Sequence, residues 1–163
     1  MSGNTLVLGV FSDIHAGSTI GLCHPDGVSL DDGGSYKPSP EQRWLWDCWS
    51  SGWEHVRNII ERERRFSGCD VDFGIVSNGD ATDGNHHGTV QILSGAEGAH
   101  IKCAAECIRE PLKLNPKWVW VVRGTEAHVG KSGGLEEGLA VALDREGAPI
   151  QRMPNNGPWS WWD

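Results

Sequence analysis

Three short apolar runs in this chain each end in a cluster of glycine, acidic and histidine residues. The runs cover residues 5–12, 71–77 and 117–122, and their length and β-branched content predict buried strands. Polar loops begin directly after them, at Asp13, Asn78 and Arg123. Because segments with helical periodicity separate the runs, we predict an α/β fold with a mainly parallel sheet. Functional sites in such sheets form at the carboxyl ends of the strands, where these clusters lie.

The segments between the runs favour helices and loops. Ser39, Pro40 and Gln42 match the capping-box pattern of a helix start, and that helix should run to about Arg64. Further helices are predicted over residues 96–112 and 135–145, with a short fourth strand over residues 148–151. Residues 13–40 and 123–134 are rich in polar residues and glycine, so we predict loops there. The length suits a single domain spanning residues 1–163.

Charge and cysteine content narrow the class of protein. The formal net charge of −8 disfavours an extended nucleic-acid groove, because that groove would need a lysine- and arginine-rich surface. The negative charge is still compatible with a small phosphorylated substrate, since bound cations would invert the local electrostatic field. Five scattered cysteines without a signal peptide indicate reduced thiols and a cytoplasmic location. No apolar run reaches the length of a membrane span.

The first polar cluster holds Asp13 and His15. In extended backbone, residues two apart point the same way, so a carboxylate and an imidazole could face one ion. The alternative is an aspartate that caps a turn next to a surface histidine.

The second cluster follows the second run and begins at Gly79, which allows the backbone to turn sharply. Asp80 and Asp83 come next, and His86 and His87 follow them. An Asp/Gly-rich turn with an exposed pair of histidines would give the same composition.

The third cluster is a polar loop that runs from Arg123 through Gly124, Thr125 and Glu126 to His128. A plain loop carrying a salt bridge is the alternative. Taken together, the three clusters should converge on one edge of one sheet. Carboxylate and imidazole ligands suit Mn²⁺, Fe, Zn²⁺ or Ni²⁺ better than Ca²⁺. Two such divalent transition metal ions, bridged by a carboxylate, are a common device for hydrolysing phosphate esters.

With these three clusters, the sequence resembles the calcineurin-like metallophosphoesterase superfamily. The family's Asp-x-His motif matches Asp13 and His15, and its Gly-Asp-x-x-Asp motif matches Gly79, Asp80 and Asp83. The resemblance implies that Asp13 and His15 bind one metal ion. It also implies that Asp80 bridges two ions and so belongs to the catalytic residues, whereas Asp83 and the glycines shape the loop.

The family's third motif, Gly-Asn-His-Asp/Glu, is altered here. Thr125 stands at the Asn position, and we expect it to contact the substrate together with Arg123. Glu126 could bind the second ion in place of the Asn. His128 is a hypothetical catalytic acid, although it lies two positions after the place of the catalytic histidine in the family motif. His86 and His87 are alternative sources of metal-binding imidazoles.

The resemblance covers roughly residues 5–130 and implies the N-terminal βαβαβα half of a layered sandwich. The family's later histidine motifs are missing, because no histidine follows His128. We therefore expect either a truncated form of a longer protein or a short gene product whose tryptophan-rich tail packs on its own core. The aromatic segment over residues 158–162 fits both.

Two functions of different class follow. The first is hydrolysis of phosphate mono- or diesters at a dinuclear metal centre. The second is a catalytically impaired or inactive fragment that binds a partner or forms a homo-oligomer through residues 157–163. A nucleotide-binding module is disfavoured, because the sequence has neither a P-loop nor a Gly-x-Gly-x-x-Gly turn after a strand.

Overall fold

The structure, a computed structural model, describes residues 5–68, 70–86, 88–129 and 134–152. Its elements follow in the order β1 (Thr5–Phe11), β2 (Val28–Ser29), β3 (Ser35–Tyr36), α1 (Pro40–Ser67), β4 (Val71–Asn78), α2 (Glu97–Leu112), β5 (Trp118–Val122), α3 (Glu126–Val129) and α4 (Gly134–Arg145). Strands β1, β4 and β5 form one sheet in that order, and both pairings are parallel. The predicted α/β fold with a parallel sheet is therefore confirmed.

The sheet register aligns the ends of β1, β4 and β5. Phe11 lies opposite Ser77, and Asn78 lies opposite Val122, so the polar segments after the strands begin side by side. The predicted fourth strand is reduced to a single parallel bridge between Ile150 and Val119 on β5.

Helix α1 begins as the sequence predicts and also fixes the loop after β1. The Ser39 hydroxyl accepts a hydrogen bond from the Gln42 amide, and the Gln42 side chain accepts one from the Ser39 amide, which completes a capping box. Gln42 is fully buried, and its Nε2 also donates to the backbone oxygens of Ser18 and Gly21. The start of α1 thereby holds the segment that carries the first polar cluster.

The hydrophobic core lies on one face of the sheet, beneath the helices. It includes Ile75 and Val121 from the sheet, with Ile108 from α2 and Leu139 from α4. Gly9 allows the closest approach of α1, because an added Cβ would lie 2.6 Å from Cζ3 of the Trp53 ring.

The opposite face of the sheet is apolar and open to solvent in the part of the chain that the structure describes. Leu6, Leu8 and Val10 are 54%, 47% and 61% exposed on this face. The short β2–β3 hairpin does not cover it, because β2 contacts α2. No helix within the described ranges has both the length and the hydrophobicity needed to cross a bilayer.

The segment after β5 differs from the sequence prediction. Residues 126–129 form the short helix α3, where a plain loop was predicted. The turn closes because the Thr125 carbonyl accepts hydrogen bonds from the amides of both His128 and Val129. This turn places His128 in α3, shortly after the end of β5. The tryptophan-rich segment proposed for oligomerisation, residues 157–163, lies outside the described residues.

Candidate metal centre

The first and second polar clusters lie side by side because backbone pairing continues beyond β1 and β4. The amides of Asp13, His15 and Ala16 donate hydrogen bonds to the carbonyls of Gly79, Asp80 and Ala81, at 3.2, 3.1 and 3.0 Å. Two segments that are far apart in the sequence therefore present their side chains at the same edge of the sheet.

The backbone at this edge is left-handed at three non-glycine residues. Asp13, His15 and Asp80 have φ angles of 57°, 44° and 48°, a region that L-residues other than Asn and Asp rarely adopt. The expectation that Asp13 and His15 lie in extended backbone is wrong, because the chain turns as it leaves β1. Their side chains nevertheless approach, with 3.8 Å between Asp13 Oδ1 and His15 Nε2.

Asp80 is 8% exposed and is held by the segment after β5. Its Oδ1 accepts hydrogen bonds from the Thr125 amide at 2.7 Å and from the Thr125 hydroxyl at 3.1 Å. Gly124 makes this contact feasible, because an added Cβ there would overlap the backbone and carboxylate of Asp80. Gly79 has φ 87°, and a Cβ on it would lie 2.9 Å from the Gly124 Cα. The two glycines thus let the ends of β4 and β5 close around Asp80.

Asp83 is surrounded by three imidazoles. Its Oδ1 lies 3.2 Å from His15 Nδ1 and 3.5 Å from His128 Nδ1, and its Oδ2 lies 3.5 Å from His86 Nε2. Only 7% of Asp83 is exposed, and its amide donates to the Ala16 carbonyl. The amide contact agrees with the expectation that Asp83 shapes the loop. The carboxylate, in addition, lies where it could bind a metal ion.

The ring of His128 has a defined hydrogen-bond state. Its Nδ1 lies 2.8 Å from the backbone oxygen of Asp83. A carbonyl can only accept, so Nδ1 carries the proton and Nε2 keeps its lone pair. A histidine that donates from one nitrogen to a carbonyl and presents the other is the usual arrangement at metal centres.

Two overlapping groups of described residues could each hold a metal ion. One comprises His15, Asp80 and His128, and the other comprises Asp83, His86 and His128. Within each group the potential ligand atoms all lie within 4.8 Å of one another. Both groups combine carboxylate and imidazole donors, which suits a first-row transition ion.

Three other predicted ligands stand outside these two groups. The Asp13 side chain is 64% exposed, although it lies beside His15 and lines the same cleft. Glu126 is exposed at the first position of α3. His87 falls outside the described residues.

Glu136 is an acidic residue near the site that the sequence reasoning missed. It lies in the first turn of α4 and is fully buried. Burial raises the pKa of Glu136 to about 7, and the negative charge of Asp80 adds to that increase. Its spacing from Leu139, Ala140 and Leu143 places it on the apolar stripe of the helix, and that spacing could have revealed it.

The two potential ligand groups border a cleft of about 780 Å³. Its lining includes polar side chains from Asp13, His15, Asp83, His86 and His128. It also includes apolar side chains from Ile20, Leu22, Leu45 and Trp49. Arg123, predicted to bind substrate, instead lines a second cavity of about 800 Å³ with Leu8 and Trp120, on the open sheet face. Thr125, the other predicted substrate contact, donates to Asp80.

The site therefore combines two potential ligand groups, a cleft beside them and a buried carboxylate, Asp80, held by hydrogen bonds. No protein-family model, curated protein or solved structure matches the chain.

Proposed function

We propose that this chain is a metal-dependent hydrolase of phosphate mono- or diesters with a dinuclear centre at the carboxyl edge of its sheet. The observation that carries the proposal is the pair of overlapping carboxylate–imidazole groups, which share His128 and open into one cleft. When bound, divalent transition ions supply Lewis-acid polarisation of a phosphate ester and lower the pKa of water. The donor set favours Mn²⁺, Fe, Zn²⁺ or Ni²⁺.

The residues divide between two ion positions. Because Nδ1 of His128 is engaged as a donor, His128 offers a single lone pair and can complete only one of the two groups. We assign it, with Asp83 and His86, to one ion. Asp13, His15 and Asp80 would then hold the other, with Asp80 close enough to bridge. The Thr125 donors fix the Asp80 carboxylate, so that it would need little rearrangement on binding.

The proposal includes membership of the calcineurin-like metallophosphoesterase superfamily and the N-terminal half of its layered sandwich. It is supported by the position of Asp13 and His15 after β1, and of Asp80 and Asp83 after the adjacent parallel strand β4. A cytoplasmic location is part of the same proposal. It is supported by free thiols at Cys23, Cys48, Cys103 and Cys107.

Metal content and hydrolysis, measured on the same preparation, test the proposal. The purified chain is stripped with a chelator and titrated with Mn²⁺, Zn²⁺, Ni²⁺ or Fe²⁺. We expect about two ions per chain, and hydrolysis of p-nitrophenyl phosphate or bis(p-nitrophenyl) phosphate only after metal is restored. A chain that binds none of these ions would refute the proposal.

Substitution of His128 separates its two candidate roles. If His128 is a ligand, His128→Asn should lower metal content and turnover together. If it is the catalytic acid suggested by the sequence, turnover should fall far more than metal content. His55→Asn on the exposed side of α1 is a matched control, because His55 carries the same imidazole outside the cleft.

The open sheet face favours a second candidate function, a binding or oligomerisation module without turnover. Contiguous apolar surface of this kind marks association sites in many proteins. The partner would be a second copy of the chain, joined through residues 157–163. Sedimentation of the full chain and of a chain lacking these residues tests this candidate. An unchanged oligomeric state after the deletion would argue against it.

A further inference from the structure

The cleft beside the proposed metal centre has an apolar wall that no step of the proposed chemistry uses. Leu45 and Trp49 contribute to it from α1, and Ile20 and Leu22 contribute from the loop after β1. Leu45 and Trp49 are four residues apart, so they lie on the same side of the helix. The wall therefore belongs to the same cleft as the imidazoles of His15 and His86.

Trp49 has a fixed orientation in this wall. Its indole Nε1 donates to the Cys107 carbonyl at 3.2 Å. Its ring packs edge-on against Phe11 and Trp53, with centroids 5.0 and 5.4 Å away. A ring held on two sides and by a hydrogen bond presents a preformed apolar surface, so a ligand would not have to order it.

The wall is also partly open to water. Ile20 is 67% exposed, and Leu45 and Trp49 are half-buried. A ligand group that covers these side chains would remove apolar surface from water, which favours binding roughly in proportion to the area buried. An extended polar ligand would forgo this gain.

The charges around the cleft restrict the phosphate part of the ligand. Among the described residues that line it, none is a lysine or an arginine. A second or third phosphate group would therefore find no fixed cation among these described lining residues. The composition favours a single phosphate at the metal centre and an uncharged group beside it.

We propose that the cleft takes phosphate esters of aromatic alcohols, with the phosphate at the imidazoles and the ring against Leu45 and Trp49. This inference rests on the proposed phosphoesterase function and adds its substrate class. Gln91, an exposed residue, also lines the cleft and provides a polar group that could recognise substituents on the ring.

A pair of esters with similar leaving groups tests the wall. Benzyl phosphate and ethyl phosphate are both esters of primary alcohols, so they differ mainly in the ring. We expect kcat/KM of the metal-loaded chain to be ~10–100-fold higher for benzyl phosphate. Phenylphosphonate, which cannot be hydrolysed, should likewise bind more tightly than methylphosphonate by calorimetry.

Variants of the wall make the test specific. Ile20→Ser and Leu45→Asn should each lower the ratio of benzyl to ethyl kcat/KM by ~3–10-fold. Trp44→Ser is the matched control, because Trp44 is 65% exposed on the same helix and does not line the cleft. It should leave the ratio unchanged, and circular dichroism confirms that each variant is folded.

The outcomes separate this inference from the function on which it rests. Equal kcat/KM for the two esters, or equal binding of the two phosphonates, would overturn the aromatic wall and leave the phosphoesterase function standing. A ratio that falls as much in Trp44→Ser as in Leu45→Asn would also overturn it. A chain that binds no metal and hydrolyses neither ester would overturn both proposals.

Discussion

Asp80 and Asp83 differ from Asp13 and Glu126 in how far the protein has organised their surroundings. The first two are buried, and each carboxylate lies within hydrogen-bonding or ion-pairing distance of side chains from other segments. Asp13 and Glu126 are exposed to solvent. A buried and fixed carboxylate loses little conformational freedom when an ion binds, whereas an exposed one has to be ordered. Asp80 and Asp83, the inner pair, should therefore contribute most of the proposed metal affinity, although the sequence motifs predict Asp13, Asp80 and Glu126 as ligands and give Asp83 only a role in shaping the loop.

The largest expected effect comes from Asp83→Asn, which keeps the shape of the side chain and removes its charge. Loss of a supporting group near a metal typically costs 10–100-fold in affinity, so loss of a direct ligand should weaken Mn²⁺ or Zn²⁺ binding by more than ~100-fold. Competition with a chelating dye measures the metal affinity. Asp47→Asn is the control, because Asp47 carries the same charge on the exposed side of α1, outside the cleft. If affinity is unchanged and only the melting temperature falls, Asp83 is a brace and not a ligand.

Glu136 adds a third buried acid to the comparison. Its pKa is about 7, against an ordinary value of 4.5. The folded apo chain keeps the proton that the unfolded chain loses, so stability should fall as pH rises from about 4.5 to about 7 and level off above that. The free energy of unfolding should fall by about 3 kcal/mol across this range. Urea unfolding in chelator across this range measures it.

Glu136→Gln should abolish this fall and leave the variant more stable than the wild type above pH 7. Glu137→Gln is the control, because Glu137 is the exposed neighbour in the same turn. A wild-type chain whose stability rises through this range would show that Glu136 is ionised and compensated in the folded state.

Thr125→Val tests whether hydrogen bonds to Asp80 prepare it for a metal ion. The variant removes the hydroxyl donor, keeps the backbone donor and preserves the shape of the side chain. We expect metal affinity to fall ~10-fold, while Thr125→Ser retains it. Unchanged metal affinity with a raised KM would instead support the direct substrate contact that the sequence suggested.

Glu126→Gln should have the smallest effect, less than ~2-fold on metal affinity, because interactions of exposed charges contribute little. The same titration that is used for Asp83→Asn measures it. A loss as large as that of Asp83→Asn would mean that α3 rotates when metal binds and brings Glu126 to the ion. The distinction between the buried and the exposed carboxylates would then not hold for Glu126.

Much of the fold follows from local sequence patterns. The strands begin and end close to their predicted limits, because apolar runs flanked by glycine and polar residues leave few alternatives. Helix α1 starts where Ser39 and Gln42 form the capping box, and it continues to Ser67 before Gly68 adopts a left-handed φ of 60°. The adjacency of the first two clusters follows from the parallel pairing of β1 and β4.

The parts of the site that escaped prediction depend on distant contacts. The position of Asp83 among three imidazoles requires α3 to return His128 across 45 residues of sequence. The burial of Glu136 depends on how α4 packs against the sheet and α2. The open sheet face is equally invisible in the sequence, because β1 has the composition of a strand covered on both sides. Local patterns fix which residues reach the edge, whereas tertiary packing decides which of them are shielded from water.

The left-handed backbone at His15 has a consequence for how this protein would change under selection. Aspartate tolerates this region, as at Asp13 and Asp80, whereas a histidine held there costs roughly 1–2 kcal/mol relative to an unstrained conformation. Glycine relieves that cost, so selection for thermal tolerance alone would favour glycine at position 15 and remove one of the proposed metal ligands. A laboratory library freed from the need for activity should therefore lose His15 early, as its chains become more stable.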